Sequence, residues 1–250
     1  MSGHSKWATI KRKKAVTDQR RGKVFTQVSK EITIAAKLGG GDPDGNPRLR
    51  LAIDKAKACN MPADNVKRAL QKGTGELPGV NYEDMVYEGY GPSGVAMIIE
   101  SVTDNKNRTV SEIRHILERN GGKLAASNSV AYMFHKRGTV RAAKGTVSED
   151  DMLSIALDAG ADDMTVEKDH YEIVTAPNTF EAVKKAVEAK GIHIEEAEMN
   201  LLPETTVKVE GHDAERVLKL VEALEDHDDV QNVYANFDID EKELAAFGNE

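Results

Sequence analysis

A run of secondary-structure signals between residues 139 and 201 constrains the fold of this chain more than any other feature. The signals follow the order β-α-β-β-α-β, which is the ferredoxin-like arrangement. Ser148 and Asp151 form a capping box at the start of the first helix, and the alternation of the last strand slips at Glu195-Glu196, which suits a β-bulge. Strands are predicted at 139–143, 164–168, 171–175 and 192–201, and the second helix at 178–190.

The segments on either side of this pattern each carry half of a second one. Before it, strands are predicted at 82–90, 95–102 and 129–135, with a loop over TDNKNRT and a helix at 109–120; after it, a strand at 206–210, a helix at 213–225 and a strand at 230–239. The later elements do not make a domain alone, and together with the strand, helix and strand of residues 94–136 they complete another β-α-β-β-α-β set. The sequence therefore predicts one α+β domain that is interrupted by another.

Helical periodicity dominates the chain before residue 75. Apolar residues recur at helical spacing over 23–38 and 47–59, and a third helix runs from Pro62 to Gly73. Asn46 is the predicted N-cap of the second helix, with Pro47 at its first position. The predicted fold is thus α+β and multidomain, with an N-terminal helical bundle plus two α+β domains, one of them ferredoxin-like and inserted in the other. The predicted boundaries are 1–78 for the basic arm and bundle, 79–136 with 205–250 for the discontinuous domain, and 137–204 for the inserted domain.

Charge divides the chain in the same place. Residues 1–75 contain 17 basic and 6 acidic residues, whereas residues 76–250 contain 17 basic and 36 acidic ones, although the whole chain has a net charge of -8. A basic end on an acidic body predicts a polyanion partner for the first part. The acidic body is expected to bind a protein partner or a second copy of the chain.

The first 23 residues are the most basic stretch of the sequence. They hold eight Lys or Arg residues, a single acid (Asp18) and the only tryptophan of the chain, Trp7. So little apolar surface cannot offset the entropy of ordering, so this segment is predicted to be a mobile arm that becomes ordered on phosphates. A solvated tail without a binding role is the alternative.

Basic residues also dominate the second and third helices. Residues 46–75 contain seven of them against Asp54 and Asp64. Exposed helix faces commonly mix both signs, so this excess favours phosphate contact over an ordinary solvated face.

Other motifs are interpreted as structural. GYGPSG (89–94) matches a dinucleotide fingerprint, but Gly94 opens a strand where a helix N-terminus is required, which indicates a turn. DPDGN resembles a calcium loop, yet its twelfth position is Ile53 rather than a glutamate. The seven histidines are scattered singly, which argues against zinc, and EDHDDV around His227 is interpreted as a solvated acidic edge. With no catalytic constellation in view, the sequence predicts no enzyme, no metal and no cofactor.

The sequence also predicts the compartment. Cys59 is the only cysteine, so no intrachain disulfide can form. No apolar run approaches the roughly 20 residues of a membrane span, and the N-terminus lacks a secretory apolar core. A cytoplasmic protein with no membrane partner is expected.

Several long motifs resemble one protein family. The motifs are GHSKW with IKRKK, NPRLRLAIDKAKACNMPADNVKRALQKGTG, YEGYGPSGVAMIIESVTDNKNRT and VYANFDI. Together they are similar to the YebC/PmpR family, which includes the mitochondrial translational activator of cytochrome oxidase. The resemblance covers nearly the whole chain. It departs at Asn128 in SNSV and at Ser93 in GPSG, where glycine is usual in the family.

The resemblance implies three domains, with a ferredoxin-like one inserted in the second, and a non-enzymatic activity in transcription or on the ribosome. By motif, and with Lys23 added from the basic run, the predicted nucleic-acid-binding residues are Lys6, Trp7, Lys11, Arg12, Lys13, Lys14, Arg20, Arg21, Lys23, Arg48, Arg50, Lys55, Lys57, Lys67 and Arg68.

Three functions stay open at the level of sequence. The first is a DNA-binding regulator of transcription that grips phosphates with its basic N-terminal domain. The second is a ribosome-associated translation factor that binds rRNA or tRNA and relieves stalled translation, in which unpaired bases stack on Trp7. The third, a ferredoxin-like enzyme or small-ligand binder, is disfavoured by the motifs. We place DNA-binding regulation first, because that description is the broader one for bacterial members of the family.

Overall fold

The protein forms two compact units. The computed structural model describes residues 18–145 and 147–248, and it leaves the side chains of residues 18–21, 241 and 248 undescribed. Residues 133–204 form the smaller unit, and the larger unit combines 18–132 with 205–248.

The larger unit begins with a bundle of three helices, α1 (Asp18–Gly39), α2 (Pro47–Ala58) and α3 (Ala63–Thr74). As predicted, Asn46 is the N-cap of α2: its side chain accepts a hydrogen bond from the backbone N–H of Leu49, and proline occupies the first helical position. Helix α1 begins earlier than the prediction, so Arg20, Arg21 and Lys23 lie on it.

Small residues let the bundle helices approach closely. Ile32, Leu49 and Ala69 are among its buried core residues. Gly73 was predicted to end α3 but lies inside it. A glycine is needed there because a Cβ would come 2.4 Å from the carbonyl oxygen of Thr33 on α1. Gly75, with φ of 83°, caps the helix instead.

Two strands, a helix and a short third strand follow the bundle. The elements are β1 (Glu83–Tyr90), β2 (Ala96–Thr103), α4 (Lys106–Arg119) and the short β3 (Lys123–Leu124). The loop predicted over TDNKNRT is wrong in its second half: Asn105 accepts a hydrogen bond from the N–H of Arg108 and so starts α4 at Lys106. GYGPSG is a turn as predicted, with a single 3-10 turn at Pro92–Gly94 between β1 and β2.

The smaller unit is ferredoxin-like. Its sheet has the strand order β5 (Ala161–Val166), β6 (His170–Thr175), β4 (Phe134–Ala143) and β7 (Ile194–Pro203), and all neighbours pair antiparallel. Ser148 caps α5 by accepting a hydrogen bond from the N–H of Asp151. Arg141 lies opposite Glu196 and Ala142 opposite Ile194, so Glu195 is the extra residue of the predicted bulge. The elements are β4 (Phe134–Ala143), α5 (Glu149–Asp158), β5 (Ala161–Val166), β6 (His170–Thr175), α6 (Phe180–Ala189) and β7 (Ile194–Pro203).

The chain then returns to the larger unit. Strand β9 pairs with β2, completing an antiparallel sheet of order β3-β1-β2-β9, while β8 and β10 form a parallel pair of their own. Ile99, Leu117 and Val221 are buried in the core that the sheet shares with α4 and α7. The returning elements are β8 (Val207–Lys208), α7 (Gly211–Glu225), β9 (Val230–Ala235), β10 (Phe237–Asp238) and α8 (Glu241–Gly248). We refer to residues 83–132 with 205–248 as the α+β layer.

The strand predicted at 129–135 is wrong, and with it the second β-α-β-β-α-β set. The carboxylate of Glu88 accepts hydrogen bonds from the backbone N–H groups of Asn128, Val130 and Ala131 at 2.6–3.0 Å. Those N–H groups are therefore not available to a strand, and β4 begins only at Phe134. Burial raises the pKa of Glu88, but these backbone donors outweigh it and hold the pKa below its ordinary value.

Both departures from the family motifs fall at strained backbone positions. Ser93 has φ of 56° and Asn128 has φ of 65°, in the left-handed region that favours glycine. Asn tolerates this region better than most residues, and the hydroxyl of Ser93 donates a hydrogen bond to Asp213 at 2.7 Å.

The fold class is confirmed: a helical bundle and two α+β domains, with the ferredoxin-like one inserted in the other. The residue boundaries of the three domains stay a prediction. Strand β4 runs through residues 136 and 137, between which one boundary was placed.

Candidate nucleic-acid interface

Helix α3 carries the most open basic surface of the bundle. Ala69 and the partly buried Val66 and Leu70 face the core, so the opposite side of the helix faces solvent. Lys67, Arg68 and Lys72 lie there, exposed, and within the described part of the chain they have neither a hydrogen bond nor an ion pair. We call these three residues the α3 face.

The basic residues at the end of α2 are exposed but less open. The Lys57 ammonium lies 3.2 Å from Asp54 one turn away, and Lys55 is exposed beside it. Exposed pairs of this kind exchange readily with solvent and with other anions. Lys55 and Lys57 therefore extend the α3 face with partial neutralisation.

Arg50 serves the loop that precedes α2. Its guanidinium donates to the carbonyl oxygens of Pro43 at 3.1 Å and Asp44 at 2.9 Å. The side chain of Asp42 accepts the N–H of Asp44 in the same loop, which confirms DPDGN as a turn. These bonds hold the guanidinium against the loop and reduce its capacity for phosphate.

Arg48 is bound on both sides by carboxylates. It makes a bidentate contact with Asp84 of β1, at 2.7 and 2.8 Å, and a second one with Glu31 of α1, at 2.6 and 3.0 Å. Hydrogen bonds to Asp84 are the main reason that the pKa of Arg48 is raised above its ordinary value. A phosphate would have to displace one of these carboxylates, so Arg48 joins the bundle to the α+β layer.

Helix α1 faces the α+β layer with three lysines spaced seven residues apart, Lys23, Lys30 and Lys37. We call them the lysine face. Lys23 lies 3.5 Å from Asp226; Lys37 hydrogen-bonds the side chain of Asn81 and approaches the Tyr82 carbonyl at 3.4 Å. Sequence reasoning assigned Lys23 to nucleic acid and did not single out the other two.

Lys30 is the most buried member of the lysine face. Its ammonium donates to the carbonyl oxygen of Asp228 at 2.9 Å and to the carboxylate of Asp229 at 2.7 Å. It also lies 5.7 Å from the centroid of the Tyr82 ring. Gln27, one turn earlier, donates to the carbonyl of Val230 at 2.7 Å. Residues 23–30 of α1 thus dock on residues 226–230.

Asp229 is the centre of this docking contact. Its side chain is 4% exposed, and besides Lys30 it accepts hydrogen bonds from Arg108 and Thr109, both at 2.7 Å, and from Thr103 at 3.3 Å. Burial raises its pKa, but the bonds from Lys30, Arg108 and Thr109 outweigh this and hold the pKa far below its ordinary value. The interpretation of EDHDDV as a solvated acidic edge is therefore wrong for Asp229.

The heptad spacing of the lysines, matched with a distant acidic run, is the sequence signal that could have found this contact. Nothing in the sequence gives the distance between the two segments. Only the pairing of β9 with β2 brings residues 226–230 to α1.

Glu112, His227 and Asp229 lie close enough to hold a metal ion. However, Lys30 and Arg108 already neutralise Asp229, and the Nδ1 atom of His227 accepts the N–H of Asp229 at 3.1 Å. The Nε2 atom of His227 then faces Glu112 at 2.8 Å. Since a cation would have to displace Arg108 or Lys30, these residues do not fit a metal centre.

One cavity lies beside the GYGPSG turn. It has a volume of about 340 Å³ and is lined by Tyr90, Gly91, Gly94, Gly121, Gly122 and Lys123. The Lys123 ammonium lies 5.6 Å from the centroid of the Tyr90 ring. The lining offers no carboxylate, imidazole or thiol for acid–base or nucleophilic chemistry.

The remaining predicted residues lie outside what the structure describes. Arg20 and Arg21 are on α1, but their side chains are not described. Residues 1–17 of the arm fall outside the described residues, and the predictions made on them are Lys6, Trp7, Lys11, Arg12, Lys13 and Lys14. None of the described helices combines the length and apolar character needed to cross a membrane.

Comparison with known families gives two adjacent matches. Residues 5–76 match the "TACO1/YebC protein N-terminal domain", and residues 82–237 match the "TACO1/YebC second and third domain". The two matches together span most of the chain.

Individual relatives agree with this assignment. A "probable transcriptional regulatory protein" of Chloroherpeton thalassium is 56% identical over 98% of both chains. One of the same description from Pelotomaculum thermopropionicum is 56% identical over 96% of this chain and 100% of its own length. The crystal structure of a conserved hypothetical protein from Aquifex aeolicus superposes with a TM-score of 0.81 at 44% identity, covering 89% of this chain and 92% of the other.

Proposed function

Because the chain belongs to the TACO1/YebC family, we propose that it is a non-enzymatic, DNA-binding regulator of transcription that grips phosphates with its bundle and basic arm. Relatives that align over nearly their whole length are named probable transcriptional regulatory proteins. The observation that carries the proposal is the α3 face, three exposed cations whose side chains have no partner among the described residues, in a chain of net charge -8.

The proposed binding to DNA is mainly electrostatic. Lys and Arg that bind phosphates release condensed counterions, and this release supplies most of the affinity that does not depend on sequence. Cations that are already paired with carboxylates gain little from the exchange. The α3 face and the arm are therefore the main contacts, Lys55 and Lys57 add to them with partial neutralisation, and Arg48 and Arg50 contribute less than the sequence alone predicted.

Binding of a fluorescent 20-base-pair DNA duplex, measured by anisotropy over a range of NaCl concentrations, tests this function. Substituting Lys67→Ala and Arg68→Ala together removes about two phosphate contacts, so the log–log salt slope should become shallower by about 1.8, and affinity at moderate salt should fall by on the order of tenfold or more. Lys185→Ala with Lys190→Ala is the matched control, since both are exposed lysines of the smaller unit. An unchanged slope in the first variant would remove the α3 face from the proposal.

A ribosome-bound translation factor is the second candidate, and the position of Trp7 within the basic arm favours it. A single aromatic among cations suits stacking on unpaired bases of rRNA. Sedimentation of tagged protein with ribosomes, with and without nuclease, separates the two functions. Recovery wholly outside the ribosomal fractions supports the DNA-binding function, and cosedimentation that nuclease does not abolish supports the ribosomal one.

A further inference from the structure

We propose that the acidic residues of the α+β layer act as an intramolecular substitute for phosphates on helix α1, so that the lysine face becomes available to nucleic acid only when α1 leaves the layer. This inference rests on the proposed nucleic-acid binding and adds an autoinhibitory contact to it. It concerns Lys23, Lys30, Lys37 and Arg48, which the proposed function assigns little or no binding.

The chemistry of the contact supports the inference. Apart from the Tyr82 ring beside Lys30, the described partners of these four cations outside the bundle are oxygen atoms: the carboxylates of Asp226, Asp229 and Asp84, and carbonyl or amide oxygens of residues 81, 82 and 228. Oxygens at these distances from ammonium and guanidinium groups reproduce what a row of phosphates offers. The same donors can therefore be exchanged between the layer and a polyanion.

The packing makes the contact separable. The buried clusters of the bundle and of the α+β layer share no residue; Ile34, on the same side of α1 as Lys30 and Lys37, is buried outside both. The contacts named across this junction are mostly hydrogen bonds and ion pairs, whose strength falls with salt and with competing anions. The connection between the two parts also allows movement, because residues 74–81 are all exposed and form no helix or strand beyond Thr74.

Asp229 does not need Lys30 to remain satisfied. Arg108, Thr109 and Thr103 all belong to the α+β layer and keep donating to its carboxylate when α1 moves away. A buried carboxylate left without partners would oppose undocking strongly. Here undocking leaves only the Lys30 ammonium without its partners on the layer, and a bound phosphate would replace them.

The test weakens the acidic surface at its exposed points. Asp84 and Asp226 have side chains 42% and 57% exposed, and the double substitution Asp84→Asn with Asp226→Asn removes the carboxylates of the layer that contact Arg48 and Lys23 while leaving Asp229 intact. Binding of the 20-base-pair duplex should become on the order of tenfold tighter at moderate salt, with a salt slope steeper by about 1.8, as expected for two additional phosphate contacts.

A matched control separates release of the cations from the change in net charge. Asp228→Asn with Glu118→Gln also removes two negative charges from the larger unit. Asp228 lies in the same acidic run as Asp226, and within the described residues neither the Asp228 nor the Glu118 side chain has a hydrogen bond or ion pair. Its affinity should change by about twofold or less. Equal tightening in both double variants would overturn the inference, because charge alone would then explain the effect.

A distance measurement supplies the second readout. Cys59, the only cysteine, lies at the end of α2, so a spin label there and another at Glu118→Cys on α4 report the bundle relative to the layer within the larger unit. Saturating duplex should broaden and lengthen the distance distribution, and NaCl at about 1 M should do so without DNA. An unchanged distribution with DNA bound contradicts the contact as a switch, whereas failure of every variant to bind DNA contradicts the proposed function instead.

Discussion

The lysine face and the α3 face are built from the same residue types on neighbouring helices, yet they differ in what they touch. Lys23 and Lys30 meet oxygen atoms of the α+β layer, Lys37 meets those of Asn81 and Tyr82 just before it, and Lys30 is 9% exposed. The cations of the α3 face are exposed to solvent. The basic residues of the bundle are therefore paired with oxygen atoms on one side and left exposed on the other.

Removing the carboxylate of Asp229, at the centre of the contact between the lysine face and the α+β layer, should lower the free energy of unfolding more than any other change. Asp229→Ala leaves Lys30 and Arg108 without their buried partner, and the loss of one member of a buried pair costs about 3–5 kcal/mol of unfolding free energy. Urea denaturation of the two proteins measures the difference. Asp228→Ala, the next residue toward the N-terminus, is the control, since its exposed side chain should change stability by about 0.5 kcal/mol or less. Similar losses in both would mean that the loop, rather than the carboxylate, matters.

Acid should weaken the contact between the lysine face and Asp229, and leave the α3 face unaffected. Because the folded-state pKa of Asp229 lies below its ordinary value near about 4, its contribution is fully present above that pH and is lost as the pH falls toward the folded-state pKa. The stability difference between the wild type and Asp229→Asn should therefore shrink by up to about 1.4 kcal/mol per pH unit below about pH 4.

Urea unfolding between about pH 5 and about pH 3 measures this difference. Glu88, whose pKa is also lowered, contributes equally to both proteins and cancels. Curves that stay parallel throughout the range would contradict the role given to Asp229. Lys67→Ala with Arg68→Ala should give such parallel curves, because the α3 face has no acidic partner in the described part of the chain.

The smallest expected effect compares one arginine from each side. Arg48→Ala removes two bidentate contacts that are partly exposed, which should cost about 1 kcal/mol of unfolding free energy after solvent screening. Arg68→Ala removes no contact among the described residues and should stay within about 0.5 kcal/mol. Thermal or urea unfolding of both variants is sufficient, and a larger loss for Arg68 would reverse the assignment of the two faces.

Local signals explain why so much of the fold was predictable. Asn46 with Pro47 and Ser148 with Asp151 mark helix starts whose hydrogen bonds lie within three residues, so no distant partner decides them. The bulge at Glu195 was equally visible, because a slip in alternation is recorded within one strand. The errors have the opposite origin: residues 129–133 do not form the predicted strand because the carboxylate of Glu88, some 40 residues away, accepts the N–H groups of Val130 and Ala131.

The sequence by itself determined the class of fold, the separation of a basic end from an acidic body and the candidate basic residues, because these depend on composition and on spacing along one helix or strand. Only the tertiary structure decided which cations are paired. Lys30 and Asp229 are 199 residues apart and meet because β9 lies beside β2. An ion pair across such a separation has no local signature, so equal charges on adjacent helices acquire different roles only when the chain is folded.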